Sequence, residues 1–370
     1  MNERSAPARQ KPRSLFGLHA ESGELLHLDS LRFFAAVTVV IYHFRNQYTF
    51  GTRPGETLAL FDHWQLAVSV FFVISGIVIS FVYQKNFDFK KFMASRFARL
   101  APLHYVTLFA FLAMWAISNA TGIQWSEARR IDWNCLVPHL TFTQSLGFCQ
   151  SNAFNHVSWS ISAEMIAYLA FPLLMIGFRS RPMAMILLAI ALPILATTLI
   201  PADPEPWYSR TYNGGAIRAL IDFTLGMAIF HIRGFLGRIP YPRLAFAAVG
   251  CLLIVGLLWP AIPEVGMLVL CYLLVLTGYA ADLQTNKLSW FTRIAPLAAL
   301  TYGIYMVHPL VRTIFFPILK AMGLSDNSSI TICFFLVFLA SYVSLKIVEN
   351  PMRRIIRKNL NVRPKTDLTI

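Results

Sequence analysis

Ten apolar runs, each about as long as a helix that crosses a bilayer, divide this chain. They lie near residues 30–48, 64–83, 100–119, 157–177, 183–200, 214–231, 244–260, 264–281, 296–317 and 330–348. Polar connections separate them, so the pattern predicts an all-α polytopic membrane protein with about ten transmembrane helices. The least marked boundary is Trp259-Pro260-Ala261-Ile262-Pro263, where two prolines favour a tight break. The longest polar segment, 120–156, is too short for a separate catalytic domain. No repeat, low-complexity tract or appended soluble domain is visible. About 28 mostly polar residues precede the first run without a small-residue cleavage site, so no cleavable signal peptide is expected.

Lysine and arginine set the orientation, because cytoplasmic loops collect them. One set of connections carries Arg4, Arg9, Lys11 and Arg13, then Lys85, Lys90, Lys91, Arg96 and Arg99. It continues with Arg179 and Arg181, with Arg233, Arg238 and Arg243, and with Lys287 and Arg293. A basic tail follows, with Arg353, Arg354, Arg357, Lys358, Arg363 and Lys365. The alternate connections hold only Arg45, Arg53, Arg129, Arg130, Arg210 and Lys320. The asymmetry predicts both termini in the cytoplasm: a tail over 1–28, a membrane domain over 29–350 and a basic tail over 351–370.

Composition agrees. Apolar residues make up 56% and charged residues 14%, against about 25% charged in soluble domains, and the mean hydropathy is +0.56. The net charge of +14 is distributed as a topology signal, which argues against a nucleic-acid partner. Of five cysteines, Cys251, Cys271 and Cys333 fall in apolar runs and read as packing residues. Cys135 and Cys149 share the long outer segment, where an oxidising compartment would allow a disulfide. The nine histidines show no metal-ligand spacing, so no metal is expected.

Candidate chemistry begins with Arg32 and His43 in the first run. Eleven helical steps end roughly 20° past three full turns and rise ~16 Å, so both side chains share one stripe. Ionisable groups at membrane depth are costly unless paired or wetted, which makes a polar slot the default reading. Ser75-Gly76 in the second run reads as a close helix contact or as part of that slot. Arg96 and Arg99, placed just outside the third run, share a helical face and could grip phosphates. The fourth run opens with Trp159-Ser160-Ile161-Ser162-Ala163-Glu164, a carboxylate that needs a partner. The ninth holds Tyr305, His308 and Arg312. Arg218 and Asp222, four apart, read as an internal ion pair. Val348-Glu349-Asn350-Pro351 reads as a helix stop.

Taken in order, Arg32-x10-His43, Ser75-Gly76, Arg96-x-x-Arg99 before Pro102, Trp159-Ser-x-Ser-x-Glu164, Tyr305-x-x-His308 and Glu349-x-Pro351 resemble the acyltransferase-3 family over about residues 28–355. These are multi-span O-acyltransferases of bacterial surface glycans and some small molecules. The pattern looks most like the short members that acetylate exopolysaccharides or lipo-chitooligosaccharides. Some members have Gly where this chain has Ser30 and Phe34. The resemblance implies acyl-CoA, usually acetyl-CoA, as donor substrate, with no permanently bound cofactor. It implies a glycan or lipid-linked sugar as acceptor and a multi-pass place in the inner membrane. On this reading Arg96 and Arg99 hold the CoA phosphates and His43 is the base. Arg32 and Glu164 complete the catalytic set, and Ser75, Trp159, Ser162, Tyr305 and His308 contact substrate. A covalent acyl-His43 stays open beside direct transfer. The rival class is a proton-coupled transporter or flippase of glycan or lipid precursors, which would use the same buried groups. Carriers usually show repeated halves, and no correspondence joins the first five runs to the last five.

Overall fold

The structure is a computed structural model that describes residues 14–20, 25–48, 62–122, 125, 130–202, 205–259, 262–284 and 290–359. Arg4, Arg9, Lys11, Arg13, Arg53, Arg129, Lys287, Arg363 and Lys365 lie outside the described residues, as do Pro260 and Ala261 of the double-proline turn.

Each apolar run corresponds to one helix. These are α1 (Leu26–Phe44), α2 (Ala67–Tyr83), α3 (Phe89–Thr121), α4 (Trp159–Ser180) and α5 (Pro182–Leu199). There follow α6 (Gly215–His231), α7 (Pro242–Leu257), α8 (Glu264–Asp282), α9 (Thr301–Ala321) and α10 (Asp326–Ser344). Among the described residues, seven helical stretches are long and apolar enough to cross a membrane. The other three are α1, made polar by Asp29, Arg32 and His43, and the shorter α6 and α7, of 17 and 16 residues.

Two boundaries differ from the expectation, and both bear on the site. First, α3 starts at Phe89, where the Asp88 carboxylate caps it by accepting from Lys91 N at 3.0 Å. That bond is the first cause holding the Asp88 carboxyl below its ordinary range. At ~1.5 Å per residue its 33 residues span about 50 Å, well beyond a ~30 Å hydrocarbon layer. Arg96 and Arg99 therefore sit on the helix itself, not in a loop before it. Second, the chain does not stop at Glu349. A π-helical turn, Leu345–Glu349, leads directly into an eleventh helix, α11 (Asn350–Asn359). Pro351 lies just past that π turn, where the helix changes from π to α geometry.

The tightest packing joins α2 to α6. A Cβ added at Gly76 would collide with the Phe223 carbonyl and come 3.1 Å from the Gly226 Cα. One added at Gly226 would collide with the Val73 carbonyl. Small residues that let backbones meet replace the hydrophobic drive that lipid removes. The close approach also redirects Arg218 and Asp222. Arg218 crosses to α2, donating to Ser69 Oγ at 3.1 Å and to Gln65 O at 3.2 Å. Asp222 accepts from Tyr272 on α8. The two charges still attract each other as expected at i, i+4, but their hydrogen bonds go to neighbouring elements.

The N-terminus of α1 is fixed by Asp282, the last residue of α8. Its carboxylate accepts from His27 N at 2.9 Å and Leu28 N at 3.1 Å, and lies 2.8 Å from His27 Nδ1. An anion there meets the positive end of the helix dipole and satisfies donors that the helix cannot. Ahead of it, β1 (Ser14–Leu15) and β2 (Leu18–His19) form a small antiparallel pair.

On the opposite side, Cys135 and Cys149 form a disulfide with their Cα atoms 5.4 Å apart. In that same segment burial lowers the proton affinity of His139, whose Nδ1 lies 2.7 Å from the Cys135 carbonyl. Alkylation under denaturing conditions should label two more cysteines after reduction than before. Equal labelling would mean that the pair is not bridged in the cell.

Candidate active site

The polar groups gather where α1, α3, α4 and α9 meet. A partly open cavity is lined by Arg32 of α1, Arg99 of α3, Ser160 and Glu164 of α4, and Tyr302 and Tyr305 of α9. Four of the ten expected site residues therefore do not merely share a stripe; they face one space.

Glu164 is held from two sides. Ser75 of α2 donates to Glu164 Oε1 at 2.9 Å, and Tyr168 donates to the same oxygen. The Ser75 Oγ also lies 3.1 Å from the Tyr168 hydroxyl. Tyr168 was not anticipated, though it lies one turn after Glu164, at the i, i+4 spacing that makes helix neighbours. Its ring also sits 5.9 Å from the Arg96 guanidinium. It thereby links Arg96, which does not line the cavity, to the carboxylate that does. Tyr302 donates to the Leu100 carbonyl on α3, and Tyr305 donates to Val157 O at 3.0 Å. Both phenols are tied to backbone, so the walls are fixed in place.

Beyond Tyr305, whose ring centroid is 6.2 Å from that of His308, the stripe continues to His43. His43 stands in the last turn of α1, at its C-terminal end rather than mid-helix. Its Nδ1 lies 2.9 Å from Val39 O and 3.2 Å from His308 Nε2. His308 Nδ1 in turn lies 3.2 Å from Ile304 O. These partners assign a proton to Nδ1 of both rings, since a carbonyl only accepts. His43 Nε2 then carries a lone pair and is the basic nitrogen. A proton gained there would leave an imidazolium whose Nδ1–H already faces two acceptors. Arg32 lies beside Thr301, Tyr302 and Tyr305, whereas His43 lies beside His308 and Arg312. The order along both helices is the same, so α1 and α9 run parallel.

His156, one helical turn before Trp159, also enters this group and was missed. Nothing in the spacing marked it, because its partners come from distant parts of the chain. Its ring centroid lies 5.0 Å from that of His43. Ligand atoms of His43, His156 and His308 all fall within 4.8 Å of one another, close enough to hold a metal ion by distance. Against a cation stands Arg312, which donates to His43 O at 3.3 Å and brings a positive charge alongside. His156 also borders a small outer cleft, with Gln144, Asn155, Trp159 and Tyr212.

Two expected contacts lie apart from the main cavity. Trp159 packs under the Arg218 guanidinium, 5.6 Å from its ring centroid, and faces the outer cleft. Ser162 is fully buried, donates to Phe142 O at 2.7 Å and accepts from Ser145 N at 3.1 Å. It fastens the outer segment to α4.

With this geometry in place, residues 25–346 match the acyltransferase domain of the acyltransferase-3 family. The chain belongs to that family. Two relatives fit the same assignment. An acyltransferase, MdmB, of Streptomyces mycarofaciens is 35% identical over 40% of this chain and 38% of its own length. A protein named for peptidoglycan O-acetylation, YrhL, of Bacillus subtilis (strain 168) is 24% identical over 88% of this chain and 54% of its own. The chain thus spans about half or less of these relatives. No solved structure matches this family member.

Proposed function

We propose that this protein is a multi-pass O-acyltransferase of the plasma membrane. It moves an acyl group, acetyl in the first instance, from acyl-CoA on the cytosolic side to a hydroxyl of a surface-glycan sugar on the outer side. The observation that carries the reading is the single polar path: Arg99 and Arg32, then Glu164 and Tyr305, then His308 and His43. Ten spans with both ends in the cytosol would put the Arg96 end inside and the Cys135–Cys149 disulfide outside.

CoA carries several phosphates on its nucleotide end, and Arg96 and Arg99 present forked cations suited to them. The thin pantetheine arm lies along the cavity and brings its thioester toward Tyr305. The acceptor enters through the outer cleft, where Trp159 and Tyr212 offer ring faces and Gln144 and Asn155 offer amides. His43 Nε2 removes the hydroxyl proton, and the oxygen attacks the thioester carbonyl carbon. Arg32, ~16 Å along the helix from His43, faces the donor's pantetheine arm on the Arg99 side of the thioester. The C–S bond then breaks, and the CoA thiolate takes the proton back from His43. Glu164, gripped by Ser75 and Tyr168, keeps Arg32 and Arg99 oriented in the path. YrhL, named for a glycan acceptor, supports a sugar hydroxyl over other nucleophiles.

The test is transfer of label from [acetyl-¹⁴C]acetyl-CoA, by protein in nanodiscs, into a base-labile ester on surface glycan from the producing cells. Incorporation with equal release of CoA thiol is expected. A carrier would leave acetyl-CoA intact, and that result would remove the transferase reading.

A further inference from the structure

Beside the Arg96 end of the site lies a part of the chain whose role the sequence had reduced to topology. The π turn at Leu345–Glu349 carries α10 into α11 without a break, and α11 packs across the cytosolic end of α3. Glu349 is buried, and Arg353 donates to its Oε2 at 2.9 Å. That pair sets the rotation of α11. Arg357, one turn further on the same face, then turns toward Arg96 and Arg99.

Three guanidinium groups from two helices thus come together. Arg357 is half-buried; burial first, then the charge of Arg96 and, more weakly, that of Arg99 lower its proton affinity, while Tyr83 opposes them. Arg96 and Arg357 each bury an Nε–H that has no hydrogen-bond partner. Buried donors are nearly always satisfied, and like charges do not gather in a semi-buried place without cause. The carboxylate nearest in sequence, Glu349, is already engaged by Arg353. A set of forked donors with unmet N–H groups is built for a multivalent oxyanion.

We propose that α11 completes an anion site, with Arg357 acting alongside Arg96 and Arg99 to bind the phosphates of the acyl donor's nucleotide end. The identity of the anion rests on the acyl-CoA reading above; the site itself rests on the arginines. The helix that follows the last span is then a working part of donor binding. Phosphates of CoA and of lipid headgroups share this chemistry, so the assay must separate them.

The experiment is calorimetric titration of the full chain in zwitterionic nanodiscs with CoA, with dephospho-CoA and with pyrophosphate. Arg357→Gln should weaken CoA binding roughly tenfold or more, as expected for loss of a charge-assisted hydrogen bond. Arg357→Lys should recover part of it, and Arg354→Gln, on the exposed face of α11, should bind as the wild type does. Thermal melts of all variants guard against misfolding, and the Lys variant keeps the test alive if Gln unfolds the tail. Wild-type affinity in Arg357→Gln would overturn the proposal. If the unaltered protein ignores CoA yet binds pyrophosphate through Arg357, the anion site stands and the acyl-CoA reading falls. If it binds neither, the anion site is wrong. Loss of binding in Arg357→Gln that is equal for CoA and dephospho-CoA would place Arg357 on the diphosphate; a loss confined to CoA would place it on the 3′-phosphate.

Discussion

His43→Gln should lower acyl transfer at least a hundredfold while the protein still inserts and melts as the wild type does. A positioned general base contributes about 10²–10⁴ in rate, and an amide cannot accept a proton at neutral pH. Glutamine keeps much of the imidazole's size and polarity, so the loss would report proton abstraction more than packing. His43→Ala should fall as far. His308→Phe should cost less than either, because Val39 O still holds the His43 Nδ1–H at 2.9 Å when the second acceptor is gone. The readout is initial rate of acetyl-ester formation at saturating acetyl-CoA. A His43→Gln enzyme that keeps more than about a tenth of wild-type turnover would move the base to Glu164, His156 or His308.

The second large effect concerns folding rather than chemistry. Gly226→Val should leave little or no monodisperse protein after detergent extraction. Gly226→Ala should lower the melting point measurably, in line with about 1–3 kcal/mol for an overpacked contact. The obstruction at Gly226 is the Val73 carbonyl, and backbone in the middle of a helix cannot step aside alone. Gly234 is the control, since a Cβ there meets nothing within 4 Å. Gly234→Ala should behave as wild type in the same heated gel-filtration assay. A Gly226→Ala protein as stable as Gly234→Ala would mean that α2 and α6 are not in backbone contact.

The helices were legible because lipid demands long apolar runs, and every run became a helix. The ends were harder. Asp88 starts α3 well before its apolar part begins, so hydropathy placed Arg96 and Arg99 in a loop. Pro351 looked like a stop because no local pattern marks the π turn that precedes it. Within the site, Arg32, Glu164, Ser75 and His308 were readable as polar groups with no business in lipid. Tyr168 and Tyr302 were not, since a tyrosine in an apolar run is ordinary until its hydroxyl is seen to reach a carboxylate or a carbonyl. His156 and Arg357 were hidden for another reason. Each acquires its role from partners more than a hundred residues away, and one-dimensional spacing carries no trace of that. Asp282 capping α1 from the end of α8 is the same case on the structural side.

One helix makes a different kind of contribution. Of α5 only Ala189 and Ala196 are buried and most of its side chains are exposed, so in a bilayer that face would meet acyl chains. Eighteen residues at ~1.5 Å each give about 27 Å, slightly less than an average hydrocarbon layer. Its sequence is therefore answerable to membrane thickness more than to shape. Leu, Ile, Met and Phe should interchange freely at its exposed positions, Leu187, Ile190 and Leu195 among them. A spectroscopic label on its outward face would report on the lipid without touching the polar path.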